Sequence, residues 1–319
     1  MELMPTPRDV VLEDGPAQLL RFRSVKRGGS APVLLIPSLI NRWYVLDLRR
    51  GASLAEALTA AGLDVWLLDW GIPQDEDRYW GWDDLFRRLS RMHKRVRRET
   101  GAEKLSTLGY CMGATVSGIH AALEPKTIAS FVNLLGPFDF SKSGALGLMT
   151  DPRWFDAGAV ADAGNVGAMQ MQSGFQMLRP TATMAKWVTL MEKGMDPAFR
   201  EGYDALEAWA SDNIPFPAAA YRTYIEELYQ KNALVQGIHH ALGKRVDLKA
   251  IDCPVMTITA SRDTICPPTA ALGLAASCGA SKTEHLEVPG GHVGAVVGSR
   301  AAKELYPRVA EWFSKVARA

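Results

Sequence analysis

The chain has 319 residues, of which 47% are hydrophobic and 22% charged, a composition typical of globular proteins. Its formal net charge is +1, which disfavours nucleic acid and anionic membrane surfaces as partners. No apolar run approaches the ~20 residues of a membrane span, and the first residues lack a signal-peptide pattern. We therefore expect a globular protein with no membrane span, located in the cytoplasm.

Short apolar runs that alternate with helical patterns predict a layered α/β protein. A first helix is expected from the capping residue Ser53 to near Gly62, and a second over residues 83–100. Continuous apolar runs are typical of parallel strands covered on both faces, so we expect a mostly parallel, doubly wound sheet. The runs that predict strands are 33–36, 65–68, 105–108, 131–135 and 255–258.

The strand–helix alternation stops after Gly136. Residues 138–237 contain helical runs rich in Met, Gln and Trp, and no convincing strand. We therefore predict that 1–137 and 246–319 are two parts of one core, and that 138–245 is a helical cap insertion above the carboxyl ends of the strands. Most apolar cap side chains are expected to form a small core of their own. Alternatively, some of them line an apolar tunnel for an acyl substrate.

Cys111 follows directly on a predicted buried strand. Gly109 and Gly113 flank it in the Gly-x-nucleophile-x-Gly pattern of a nucleophile elbow, with cysteine where serine is usual. This strand-to-helix turn is so tight that side chains at both glycine positions would clash, and it exposes the central side chain above the sheet. We therefore predict that Cys111 is a catalytic nucleophile rather than a buried structural cysteine.

Asp263 and His292 complete the predicted catalytic set. A thiol needs a base and the base needs an orienting group, and in elbow enzymes these follow in the order nucleophile, acid, His. Asp263 comes after the strand predicted from Val255, and His292 comes after two glycines that permit an unusual loop. The remaining histidines and cysteines are predicted to be surface or core residues: His93, His120, His239, His240, His285, Cys253, Cys266 and Cys278.

Backbone N–H groups are expected to form an oxyanion hole. Met112, next after the nucleophile, is one predicted donor, and the second is Ile40 or Leu39 in the loop after the first apolar run.

A cysteine acyl-enzyme is a thioester, close in energy to an acyl-CoA and still activated towards an alcohol. The sulfur therefore favours acyl transfer from thioesters to hydroxyls, provided that the cap excludes water. No pattern indicates a metal or a tightly bound cofactor.

The elbow around Cys111 and the loops that contain Asp263 and His292 together resemble segments of the polyhydroxyalkanoate synthases, which belong to the α/β-hydrolase superfamily. The resemblance extends from about residue 7 to Phe313, which is nearly the whole chain. The family usually has a second glycine after the elbow, where this chain has Ala114, so the packing behind the turn is expected to differ. The matching segments are 37–48, 68–71, 109–113, 263–268 and 289–294, and 228–232 and 245–248 are similar to the short, class III type of catalytic subunit.

The resemblance implies an α/β-hydrolase fold and a polyester synthase activity. An (R)-3-hydroxyacyl-CoA, a substrate and not a bound cofactor, would acylate Cys111 with loss of CoA. The hydroxyl of another unit would then attack, and the polyester would grow. The resemblance also implies that His292 is the general base and that Asp263 helps to activate the 3-hydroxyl. It further implies a second synthase subunit, a homodimer or hetero-oligomer, and association with a cytoplasmic polyester granule surface.

Two other functions remain open from the sequence. The first is a Cys-dependent esterase or thioesterase resembling dienelactone hydrolase, which has the same elbow but not the length or the long insertion. The second is a non-catalytic, granule-associated partner protein that kept the fold. The intact set of Cys111, Asp263 and His292 disfavours this second alternative, because a structural role requires none of them at these positions.

Overall fold

The computed structural model describes residues 2–24, 30–178 and 182–316. Most of its strands belong to one large sheet, and two pairs of short strands lie outside it. The strands in the described residues are β1 (Arg8–Asp14), β2 (Ala17–Phe22), β3 (Val33–Ile36), β4 (Asp47–Arg49), β5 (Ala52–Ser53), β6 (Val65–Asp69), β7 (Leu105–Tyr110), β8 (Ile128–Leu134), β9 (His240–Ala241), β10 (Lys244–Arg245), β11 (Val255–Ala260) and β12 (Thr283–Val288).

The large sheet has eight strands in the order β1-β2-β6-β3-β7-β8-β11-β12. β1 pairs antiparallel with β2, and β2 with β6, whereas all later neighbours pair in parallel. The predicted mostly parallel α/β sheet is confirmed, and all five predicted strands are present. The β1–β2 hairpin is absent from the prediction because β1, at the edge of the sheet, is only half-buried and has no continuous apolar run.

Helices cover both faces of this sheet. The α1 helix begins after Ser53, whose Oγ accepts a hydrogen bond from the Glu56 N–H at 2.9 Å. The helices of the core are α1 (Leu54–Ala60), α2 (Trp82–Thr100), α3 (Met112–Leu123), α10 (Pro268–Ala271), α11 (Gly273–Ser277), α12 (Gly294–Val297) and α13 (Tyr306–Val316). Those between β8 and β11 are α4 (Gly144–Met149), α5 (Ala157–Asp162), α6 (Ala168–Met177), α7 (Ala182–Lys193), α8 (Pro197–Ser211) and α9 (Ala218–Thr223). Short 3-10 turns occupy Trp43–Leu46, Asp75–Tyr79, Pro125–Thr127, Phe140–Lys142 and Leu248–Ala250, and π-helical turns occupy Tyr224–Gln230 and Ala301–Leu305.

Each face of the sheet has its own apolar layer. On one face α2 and α3 contribute Phe86, Leu89 and Ile119, and on the other α1 and α13 contribute Leu58 and Phe313, all fully or almost fully buried. Burial of this area is the main stabilising contribution to the fold. This packing also fixes the connection from strand β7 to helix α3, where the predicted nucleophile lies.

In the sequence, helices α4 to α9 lie between β8 and β11. In the sheet, these two strands are direct neighbours. We propose that residues 138–245 form a cap on a core made of 1–137 and 246–319. Within the proposed cap, the hairpin β9–β10 packs on core helix α2. There the Leu242 N–H donates to Asp83 Oδ1 at 2.7 Å, and Trp82 Nε1 donates to His239 Nε2 at 3.0 Å. Among the described residues, no helix is long and apolar enough to cross a membrane.

Candidate active site

Cys111 stands alone between β7 and α3 in a strained backbone conformation. Its φ is 56° and its ψ −130°, a region that non-glycine residues rarely occupy. Its N–H donates to the carbonyl of Leu134 on the neighbouring strand β8 at 2.9 Å. A Cβ at Gly109 would come within 2.3 Å of Ala114 Cα, and one at Gly113 within 2.2 Å of the Ile36 carbonyl oxygen. These contacts give the steric reason for both glycines of the elbow.

Ala114 has a glycine opposite it in the fold. A Cβ at Gly136, after β8, would come within 2.3 Å of Ala114 Cβ and 2.7 Å of the Cys111 carbonyl oxygen. The methyl group of Ala114 therefore fills space that is free because residue 136 has no side chain.

The loops after β11 and β12 bring Asp263 and His292 together. His292 Nδ1 lies 2.7 Å from Asp263 Oδ2, and both side chains are buried. The other carboxylate oxygen, Oδ1, accepts the N–H groups of Ile265 and Cys266, each at 2.9 Å. Gly290, two residues before His292, has a φ of 127°. Asp263 is thus held by its own loop, and its contact with Nδ1 fixes the orientation of the His292 ring, with Nε2 on the side away from the carboxylate.

The His292 ring faces the sulfur of the elbow. Nε2 is buried and makes no hydrogen bond of ordinary geometry within the described ranges. Burial alone would lower the pKa of His292, but the charge of Cys111 and the hydrogen bond and charge of Asp263 outweigh it and raise the pKa to about 10. The Tyr110 ring lies 5.4 Å from the imidazole and supports it from one side. Cys111, His292 and Asp263 therefore form one electrostatically coupled unit.

A narrow apolar cavity runs from Cys111 into the cap. The core contributes Cys111, Met112 and Ile40, and the cap contributes mainly aromatic and aliphatic side chains. Burial raises the pKa of all three cavity tyrosines, Tyr221, Tyr224 and Tyr229, so their hydroxyl groups remain protonated. The cap residues that line this cavity are Leu146, Thr150, Met171, Phe175, Phe216, Tyr221, Tyr224, Ile225 and Tyr229.

A second, more polar cavity also opens on Cys111. It contains His292, which the apolar cavity does not, and it is bordered by the carboxamides of Asn41, Gln172, Gln176 and Asn213. Helix α6 contributes to both cavities. The site therefore has two branches of different polarity that meet at one sulfur atom.

Both predicted oxyanion donors, Met112 and Ile40, line the apolar cavity that contains Cys111. Met112 is the first residue of α3, and the first N–H groups of a helix have no partner within the helix. Ile40 lines both cavities, and its N–H has only a long contact, 3.5 Å, with Ser38 Oγ. Leu39, the predicted alternative, is buried like Ile40 but lines neither cavity. The Pro37 carbonyl accepts a 3.0 Å hydrogen bond from Trp70 Nε1, which braces this loop.

The remaining histidines and cysteines have varied surroundings. His93, His120 and His239 are buried, His240 is exposed, and His285 bonds Thr259 Oγ1 at 2.8 Å. Cys253 is buried and Cys278 is half-buried in the core, as expected of apolar fillers. Cys266 is also buried but lines the apolar cavity, where burial raises its pKa well above the usual value. No group of three or more potential metal ligands occurs in the part of the chain that the structure describes.

The cap residues of the site could not be chosen from the sequence. Met and aromatic residues indicated a tunnel as the less favoured alternative, and the structure places nine cap residues around the apolar cavity. Met169 and Met171 are close in sequence, yet Met169 is 80% exposed and Met171 lines the cavity. The residue type alone therefore does not predict which methionine lines the cavity, because this depends on how α6 packs on the core.

Comparison with known proteins gives consistent matches over almost the whole chain. A family model described as alpha/beta hydrolase fold matches residues 31–299. The poly(3-hydroxyalkanoate) polymerase subunit PhaC of Haloferax mediterranei is 33% identical over 97% of this chain, which spans 64% of that relative. The subunit of the same name from Allochromatium vinosum is 30% identical over 97% of this chain and 89% of its own length.

Solved structures give the same fold at low identity. A soluble variant of monoglyceride lipase from Saccharomyces cerevisiae, in complex with a substrate analogue, has a TM-score of 0.60 and 14% identity, covering 98% of this chain and 96% of the lipase. A second structure, from Sulfolobus solfataricus, has a TM-score of 0.58 and 16% identity, covering 95% of this chain and 92% of the other chain. These likenesses support the fold only.

Proposed function

This chain belongs to the poly(3-hydroxyalkanoate) polymerase family of the α/β hydrolases, a family of acyltransferases, and we propose that it polymerises (R)-3-hydroxyacyl groups from CoA thioesters. The observation that carries the proposal is the position of Cys111. The thiol ends an apolar cavity lined largely by cap residues, and a buried imidazole held by Asp263 interacts with it. A thioester formed on this sulfur would be shielded from water on its acyl side.

In the proposed acylation, His292 Nε2 already holds the proton of the Cys111 thiol, and the thiolate sulfur attacks the thioester carbonyl of the substrate. The N–H groups of Met112 and Ile40 stabilise the oxyanion. The carbon–sulfur bond to CoA then breaks, and the CoA thiolate takes the proton from His292. The products are free CoA and a 3-hydroxyacyl thioester on Cys111.

In the proposed elongation, the 3-hydroxyl of another acyl unit attacks the Cys111 thioester. His292 Nε2 accepts the hydroxyl proton with the help of the Asp263 carboxylate. As the new ester bond forms, the bond between the acyl carbon and Cys111 Sγ breaks, and the sulfur takes that proton. Sulfur suits this step because the acyl thioester remains reactive towards an alcohol. The apolar lining of the cavity suits it because hydrolysis would compete wherever water reached the thioester.

The proposal is tested with purified protein and 3-hydroxybutyryl-CoA, both alone and with a candidate second synthase subunit. We expect CoA release together with insoluble polyester from the wild type, and neither from Cys111→Ala. Cys278→Ala is the matched control, because this half-buried cysteine lies outside both cavities. Wild-type turnover by Cys111→Ala would refute the proposed nucleophile, and free 3-hydroxybutyrate as the main product would favour a thioesterase.

A polyester granule surface and a second synthase subunit are proposed partners. The Allochromatium vinosum relative is named as a subunit, and 89% of its length is covered. We propose a homodimer or hetero-oligomer, associated with granules in the cytoplasm. Co-sedimentation with polyester granules, with and without the second subunit, measures this association.

A further inference from the structure

Helix α6 separates the two branches of the active site by the order of its side chains. Met171 and Phe175, four residues apart, line the apolar branch, and Gln172 and Gln176, also four apart, line the polar branch. Residues four apart lie on the same face of a helix, so the two pairs form adjacent stripes. Phe175 borders both branches and stands at the division between them.

The polar branch offers unused hydrogen-bonding groups. Within the described residues, the side chains of Gln172 and Gln176 make no hydrogen bond, and each is at least partly exposed. Asn41 Nδ2 donates to Asn213 Oδ1 at 2.6 Å, which leaves Asn41 Oδ1 as an acceptor. Each free carboxamide can both donate and accept a hydrogen bond. This branch therefore suits a neutral ligand that itself carries amide groups.

Proton transfer gives an independent reason for the direction of the substrate. The leaving sulfur of a thioester must lie beside His292, because it takes the proton from Nε2 as the carbon–sulfur bond breaks. His292 borders the polar branch and not the apolar one. The chain attached to that sulfur therefore leaves through the polar branch, and the acyl chain points into the apolar branch.

We propose that Gln172 and Gln176 bind the pantetheine arm of the CoA thioester in the polar branch. Pantetheine is a neutral chain with two amide groups between the sulfur and the phosphates, so its hydrogen-bonding groups match the carboxamides of the wall. Apart from His292, the residues that line this branch are uncharged, which suits the arm and not the nucleotide. This assignment rests on the proposed function, since it requires an acyl thioester as substrate.

The test compares thioesters of one acyl group on four carriers: CoA, pantetheine, N-acetylcysteamine and ethanethiol. We expect Gln172→Leu and Gln176→Leu to raise KM for the CoA and pantetheine thioesters by about three- to tenfold each, the effect of one hydrogen bond. The ethanethiol thioester has no amide, so its kcat/KM should remain at the wild-type value. Gln170→Leu is the matched control, since it is the same change on the same helix at an exposed position outside both cavities.

Equal losses on the CoA and ethanethiol thioesters, or no loss on either, would overturn the assignment. An inhibition constant for free pantetheine gives a second readout that does not depend on turnover, and it should rise by the same factor in both variants. Absence of CoA release by the wild type is a different result, because it refutes the proposed function itself. Acyl carrier proteins also present pantetheine, so turnover of a carrier-bound acyl group but not of the CoA thioester would overturn the choice of CoA.

Discussion

Cys111 raises the pKa of His292, and this effect can be measured on a single residue. Replacing Cys111 by Ala removes the first of the interactions that raise the pKa of His292 against its burial. We expect the pKa of His292 to fall clearly below its wild-type value of about 10 in Cys111→Ala. Titration of the imidazole by NMR measures the shift, with Cys278→Ala as the control. An unchanged value would mean that the two side chains do not interact.

The same shift predicts how stability depends on pH. The folded-state pKa of His292 is raised to about 10, above its ordinary value of about 6.5. The stabilisation by the charged imidazole is therefore complete below pH about 6.5 and is lost as the pH rises through about 10. We expect the difference in free energy of unfolding between wild type and His292→Gln to shrink over this window. Urea unfolding at a series of pH values measures it, and a constant difference would contradict the prediction.

Asp263 has two kinds of partner, which makes its amide variant informative. One oxygen accepts two backbone N–H groups and the other contacts His292, so Asp263→Asn must turn its NH2 group towards one of these partners. We expect this variant to lose more in elongation than in acylation, because acylation has a thiol as nucleophile and elongation must activate an alcohol. Single-turnover CoA release is compared with steady-state polymer formation. Equal losses in both would contradict this division of roles.

At the level of elements, the β7–α3 turn depends on a contact with the segment after β8. Gly136→Ala would place a methyl group 2.3 Å from Ala114 Cβ, so we expect a loss of about 1–3 kcal/mol in the free energy of unfolding. Adding Ala114→Gly should restore part of it, because the contact with the Cys111 carbonyl oxygen remains. Urea unfolding of both single variants and the double variant gives the coupling energy.

Gly174→Ala is the control for Gly136→Ala. It lies in α6 with no atom within 4 Å of the added Cβ, so the same change should be stabilising by up to about 1 kcal/mol. If Gly136→Ala behaved like Gly174→Ala, or if the effects of Ala114→Gly and Gly136→Ala were additive, the two positions would not be in contact.

The sequence predicted the strands and loops of the core because their rules are local. Gly109 and Gly113 are required by a steric contact, and Asp263 and His292 each follow a buried strand of a parallel sheet. The division of α6 into two stripes could not be predicted in this way. Met-Gln-Met-Gln at 169–172 has no clear amphipathic pattern, and the direction of each side chain depends on the packing of the cap on the core.

For the whole molecule, the cap should decide how much acyl-enzyme is lost to water. Phe175 borders both branches above Cys111, so Phe175→Ala should open the acyl side to the polar branch. We expect a severalfold higher ratio of free 3-hydroxybutyrate to polymer, with little change in CoA release. Phe199→Ala is the matched control, because Phe199 packs on Tyr203 in α8 and lies outside the cavities. An unchanged product ratio would contradict a water-excluding cap.

The order of the sheet affects how the protein matures during translation. Cys111 lies in the first half of the chain, and its base arrives only with the loop after β12, close to the end. Strand β11 pairs with β8, but the whole proposed cap lies between them in the sequence and must be synthesised first. A nascent polypeptide on the ribosome would therefore carry an exposed thiol without its imidazole until synthesis is nearly complete. Oxidation of that sulfur before termination would yield inert subunits, so the yield of active protein should depend on the redox state of the cell during synthesis.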